Sequence, residues 1–96
     1  MLQRRAILAA TAGQVSADLD GELVVLDLHG GVYYGLNGVG ARVWQLLQAP
    51  TRLDRVVATL AAEYDVDRDR CEADVQTLVE QLVAARLVEV RDAAGP

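Results

Sequence analysis

Two tight turns ten residues apart constrain this chain more than any other feature. Asp20-Gly21 and Gly30-Gly31 are pairs that tolerate positive φ, the condition for a two-residue reversal between strands. The segments around them read as strands. Gln14 to Leu19 is a weak, edge-type strand, Glu22 to Leu28 (ELVVLDL) is β-branched and apolar, and Val32 to Leu36 (VYYGL) is a third. Strands joined so closely must run antiparallel, so residues 14–36 predict a three-stranded meander. Residues 1–13 show no clear period and stay open between a loose end and a short strand.

After Leu36 the period changes from two to 3.6. Val39, Val43, Trp44, Leu46 and Leu47 fall at helical spacing. Asn37 is placed to cap that helix, and Pro50 closes it. Thr51-Arg-Leu-Asp has the spacing of a capping box for a second helix, whose apolar face is Leu53, Val56, Val57, Leu60 and Ala61. Asp67 is a candidate cap for a third helix over about Arg68 to Arg86. Leu87 to Val90 suggests a last short strand, and residues 91–96 a frayed tail. The fold class is therefore α+β: a three-stranded antiparallel sheet followed by a three-helix bundle, winged-helix-like in layout. The 96 residues form one domain.

Composition narrows function. All nine basic residues are Arg, against 14 carboxylates, and the net charge is −5. Phosphate binding needs clustered cations, so nucleic acid is a poor partner. Lysine chemistry is absent. One cysteine, Cys71, cannot form an internal disulfide, which fits a reducing cytoplasm. The apolar run Ala6 to Ala10 is too short for a signal peptide, and none is long enough to span a bilayer.

Candidate chemistry is thin. His29 is the only histidine and sits at a turn. One His and one Cys, distant in sequence, are no zinc signature, so no metal or other cofactor is expected. Cys71 near a helix start could favour a thiolate, but a small buried hydrophobe is the commoner role. Ser16, the only serine, lies outside any nucleophile elbow. Gly35, Gly38 and Gly40 do not match a phosphate loop and read as a strand-to-helix turn. No enzyme signature emerges.

Two features exceed what a minimal core needs. Val32 to Leu36 has neither charge nor proline, so at a sheet edge it would template another strand. The alternative is a central or covered position. On the third helix, Cys71, Val75, Leu78, Val79, Leu82 and Val83 span an arc of roughly 140°, where packing on one side needs little more than 100°. Such a face either lies wholly in the core or shares itself between core and groove.

The run Gly31-Val-Tyr-Tyr-Gly-Leu-Asn-Gly-Val-Gly-Ala-Arg-Val-Trp-Gln-Leu-Leu resembles the PqqD-like family, whose hallmark is a hairpin, then Leu-Asn, then an apolar helix carrying a Trp. Asp74-Val75, Leu78, Leu82 and Leu87-Val88 resemble its later pattern. The resemblance covers residues 14–90 and implies a peptide-recognition element. Such proteins bind the leader of a ribosomally made precursor by strand addition and present it to a modifying or cleaving enzyme. The wording around Tyr33 and Tyr34 is most similar to stand-alone lasso-peptide members, which work with a separate cysteine-protease-type leader peptidase.

Carried over by residue, the resemblance makes Val32, Tyr33 and Tyr34 the receiving strand, and Cys71, Val75, Leu78 and Leu82 the opposing apolar wall. Asp74 either pairs a leader cation or caps local structure. Leu36, Asn37 and Trp44 are fold residues. The chain would act without catalysis in the cytoplasm, as a monomer or an edge-strand dimer, without nucleic acid or membrane. One departure is Arg86, where relatives often carry Gly to end the third helix. The rival function is a winged-helix DNA-binding regulator, which requires a basic recognition helix.

Overall fold

The computed structural model describes residues 2–20, 22–36 and 38–91. Its elements are β1 (Ile7–Ala10), β2 (Gln14–Leu19), β3 (Glu22–Asp27), β4 (Val32–Leu36), α1 (Val39–Leu46), β5 (Thr51–Arg52), α2 (Leu53–Tyr64), α3 (Arg68–Ala84) and β6 (Val88–Arg91). The expected order, an antiparallel meander followed by three helices, is what the chain forms. Strands β2, β3 and β4 pair in that order, with Val25 opposite Ser16 on one side and Tyr34 on the other. The β3–β4 reversal is held by Asp27. Its carbonyl accepts the Gly31 N–H at 2.8 Å, and its carboxylate accepts the His29 N–H at 3.0 Å. Gly31 supplies φ of 69° there, and His29 is an exposed turn residue.

Alternation of side chains gives the meander two faces. Leu23 and Val25 on β3, with Tyr34 and Leu36 on β4, share the face that packs on the core. Val25 is fully buried and the other three are half-buried against the same cluster. The opposite face carries Val24, Leu26 and Tyr33.

A second sheet was not apparent from the sequence. It has the order β5-β1-β6, with Leu8 opposite Thr51 on one side and Val90 on the other. Residues 1–13 thus contain a strand, not a wholly loose end. Leu8 and Ala9 are both buried, at 0% and 3% exposed. A strand covered on both faces loses the alternation by which strands are read. Gln76 of α3 secures the chain ahead of β1: its amide donates to the Leu2 carbonyl at 2.8 Å and accepts the Leu2 N–H at 3.1 Å.

The helix ends follow local chemistry, with one correction. Thr51 does not cap α2. It belongs to β5, and its hydroxyl donates toward the Leu46 and Ala49 carbonyls at 3.0 and 2.9 Å. Arg52 occupies the cap position without a side-chain bond, and Asp54 instead accepts the Arg52 guanidinium. Pairing with β1 therefore outcompetes the capping box. Asp67 does cap α3, accepting the Arg70 N–H at 3.1 Å. The Asn37 cap and the tail beyond Arg91 lie outside the described residues.

Helix α3 ends at Arg86 in a left-handed conformation, φ 64°. The Arg86 N–H donates to the Val83 carbonyl at 3.0 Å and the Leu87 N–H to the Leu82 carbonyl at 2.9 Å. This is the Schellman closure, normally made with glycine at that position. The departure at Arg86 changes the residue and leaves the ending intact. The core beneath gathers Leu8, Val25, Val43, Trp44, Val56, Val79 and Leu87 from every layer.

Candidate functional site

Strand β4 pairs with β3 on one side and with no strand on the other among the described residues. The sequence left its position open; the structure puts it at an edge. Val32 is 49% exposed and Tyr33 72%, so the free edge is accessible along with its side chains. Val32 and Tyr34 fall on the helix-side face and Tyr33 on the other, because neighbouring strand residues alternate.

The broad apolar face of α3 divides. Cys71, Val75, Val79 and Leu82 are buried, at 7%, 1%, 0% and 4% exposed, so most of the width serves the core. Leu78 and Val83 are half-buried on its flanks. Leu78 approaches the end of β4: a Cβ built on Gly40 would lie 3.6 Å from Leu36 and 3.9 Å from Leu78. Both leucines thus flank Gly40 at the start of α1.

A cavity of about 230 Å³ opens at the first turns of α3. It is lined by Val39, Leu60, Tyr64, Val66, Arg70, Cys71, Asp74 and Val75. Of the sequence-derived site, the structure therefore collects Cys71, Asp74 and Val75 in one pocket and leaves Leu78 outside it, near Gly40. Leu82 lies apart, in the core, and no β4 residue lines the pocket.

The sequence reading missed Val39, Tyr64, Val66 and Arg70 as pocket residues. A signal was present. Tyr64 and Val66 are large apolar residues in an otherwise charged connection, and both remain exposed, at 43% and 48%. The left-handed turn at Asp65, φ 52°, ends α2 between them and leaves them at the pocket mouth.

Electrostatics set the rim. Asp74 and Arg70 bring one carboxylate and one guanidinium to an otherwise apolar concavity. Burial pushes the Cys71 thiol above its ordinary value, and the nearby Asp74 charge adds to that, with Arg68 opposing. Cys71 is thus a neutral thiol that points its Sγ at the Val57 carbonyl, 3.8 Å away, as the bland reading of a small buried hydrophobe expects. Outside the pocket, the Arg42–Glu63 pair ties α1 to α2 through two parallel hydrogen bonds of 2.9 and 2.8 Å. Among the described residues no three His, Cys, Asp or Glu side chains gather to hold a metal ion, and no helix is long and apolar enough to cross a membrane.

The family model for coenzyme PQQ synthesis protein D (PqqD) matches residues 22–88: strands β3 and β4 of the meander, β5, all three helices and the start of β6. The chain belongs to the PqqD family. Two solved structures are similar to this PqqD-family chain. One is TbiB1 in complex with the TbiA(beta) leader peptide, 38% identical, with a TM-score of 0.78 over 84% of this chain and 94% of that one. The other is a lasso peptide synthetase B1 complexed with its leader peptide, 29% identical, with a TM-score of 0.71 over 85% and 96%. Comparison with curated protein sequences finds no match. Nothing here favours the DNA-binding alternative: neither similar structure is a DNA complex, and α3 offsets Arg68 and Arg70 with Asp69, Glu72, Asp74 and Glu80.

Proposed function

We propose that this PqqD-family protein is a non-catalytic adaptor for the leader of a ribosomally made precursor peptide, of the lasso-peptide type. The leader adds as a strand to the free edge of β4, in cytoplasmic surroundings, and a separate cysteine-protease-type leader peptidase receives it. The observation that carries this is the uncharged edge of Val32–Leu36, without a second strand partner among the described residues, on the same molecule as the apolar pocket at Cys71, Asp74 and Val75. Two similar proteins were solved with leader peptides bound.

The mechanism divides labour. Backbone N–H and C=O groups of β4 give affinity for any extended segment, and side-chain pockets give selectivity. Leu78 and the β4 side chains Val32 and Tyr34 meet alternate leader residues. The pocket of about 230 Å³ accepts one bulky apolar side chain, with Asp74 placed to pair a neighbouring leader cation. Holding the leader near the peptidase raises its effective concentration there.

The test is fluorescence polarisation with a labelled leader from the precursor encoded nearest this protein. Leu78→Asp weakens binding about ten-fold or more, since a carboxylate must be desolvated against the leader. Leu78 is half-buried and tolerates the change far better than Val75, whose substitution would place the charge in the core. A leader methylated on alternate backbone nitrogens binds weakly if strand addition operates. Equal affinity for the methylated and plain leaders would exclude it.

A further inference from the structure

The meander has a second face, turned away from the core. The register sets Val15, Leu26 and Tyr33 in one row across β2, β3 and β4, with Ala17, Val24 and Gly35 in the next. These side chains point away from the face that buries Val25. Val15 is 52% exposed, Leu26 38% and Tyr33 72%, and Leu19, on the same face of β2, is 58%. Single exposed apolar residues are ordinary, but adjoining ones across three strands mark an interaction surface.

Charge says what kind of partner fits. Residues 13–41 contain Asp18, Asp20, Glu22 and Asp27 and no Arg, while all nine Arg lie outside that segment. Glu22 lies on this face and Asp20 at the adjoining turn, so the apolar rows end in an acidic rim. A second copy would bring the same acidic rim against itself. The complementary surface is an apolar patch edged with Arg or Lys.

Tyr33 joins this face to the leader site. Its backbone lies on the free edge of β4 and its side chain on the outer face. A strand added to β4 would set alternate leader side chains beside Tyr33 and continue the row onto a fourth strand. We infer that the outer face of the meander, Val15, Leu19, Leu26 and Tyr33, docks the protein that receives the leader, a different chain presenting an apolar patch with a basic rim. This rests on the leader-binding function proposed above.

The experiment titrates purified leader peptidase, encoded beside the precursor, into this protein with and without labelled leader. The variants are Val15→Asp and the strand-compatible pair Val15→Thr with Leu26→Thr. Leader affinity by polarisation should stay within about two-fold of wild type, and peptidase affinity should fall about ten-fold or more. Glu22→Arg should weaken peptidase binding several-fold, and added salt should narrow that difference. Unchanged peptidase affinity in both outer-face variants overturns the inference. So does sedimentation that finds a wild-type dimer broken by the same variants, since the face would then belong to a second copy. Failure of the wild type to bind leader overturns the leader function separately, because the leader-free titration still reports on the outer face.

Discussion

Replacing Arg86 with Gly should make this protein more stable. Arg86 holds φ at 64°, fixed by the hydrogen bonds from its own N–H to Val83 and from Leu87 to Leu82. Its carbonyl is further engaged by the Thr11 hydroxyl at 2.8 Å, so the conformation cannot relax without losing contacts at both ends of the chain. Left-handed backbone costs a residue with a Cβ about 1–2 kcal/mol. Glycine removes that cost and adds about 0.5–1 kcal/mol of unfolded-chain freedom. The net gain is about 0.5–1 kcal/mol, which for a domain of this size raises Tm by about 2–8 °C. The Arg86 side chain is exposed, so little packing is given up. Thermal unfolding followed by circular dichroism measures the shift. Arg86→Ala keeps the Cβ and should melt near wild type, which isolates the backbone effect. A glycine variant that melts at or below the alanine variant would refute the reasoning.

Three further outcomes are expected. Leu8→Ala should cost about 2–5 kcal/mol in urea unfolding, because Leu8 is fully buried in the middle strand of the second sheet. Asp67→Ala should cost about 1 kcal/mol by the same measurement, through loss of the Arg70 N–H acceptor at the start of α3. For pH, the Arg42 hydrogen bond holds the Glu63 carboxyl below its ordinary value of 4.5. A depressed folded-state value stabilises above the unfolded value and is lost as pH falls through the folded one. Glu63→Gln should therefore destabilise near neutral pH, and that difference should shrink as pH falls below 4.5, as followed by urea unfolding across the acid range.

What was legible in the sequence is what repeats with a period or needs a special backbone angle. The meander could be read because Glu22 to Leu28 is strongly apolar and its turns carry Asp-Gly and Gly-Gly. The helices could be read because Val56, Val57 and Leu60, or Val75, Val79 and Leu82, return to one face. β1 was hidden because Leu8 and Ala9 bury opposite faces. β5 was hidden because two residues carry no period, and Thr51 happens to begin a capping-box spacing. The pocket was half legible. Cys71 and Val75 sit on the apolar arc of α3, but Tyr64 and Val66 reach the same cavity only through the left-handed turn at Asp65. No spacing rule reports such a turn at an aspartate, and Arg86 is illegible for the same reason.

The two free edges of the meander are not equivalent, and their difference argues for β4 as the receiving strand. Both β2 and β4 lack a second partner among the described residues. β2 carries Asp18 on the face shared with Val25, opposite Leu23. A charge pointing inward on an edge strand penalises any added strand, which would have to desolvate it. β4 carries no such charge. Its side chains Val32, Tyr34 and Leu36 are apolar on the helix side, and Gly35 offers no side chain on the other. An edge left so open is a hazard unless something regularly covers it. Substituting Tyr34→Lys supplies the missing protection: the charge would sit on the helix-side face beside Leu36. It should weaken leader binding about ten-fold or more by polarisation while reducing self-association of the free protein in light scattering. A leader that binds the lysine variant as tightly as wild type would move the receiving strand away from β4.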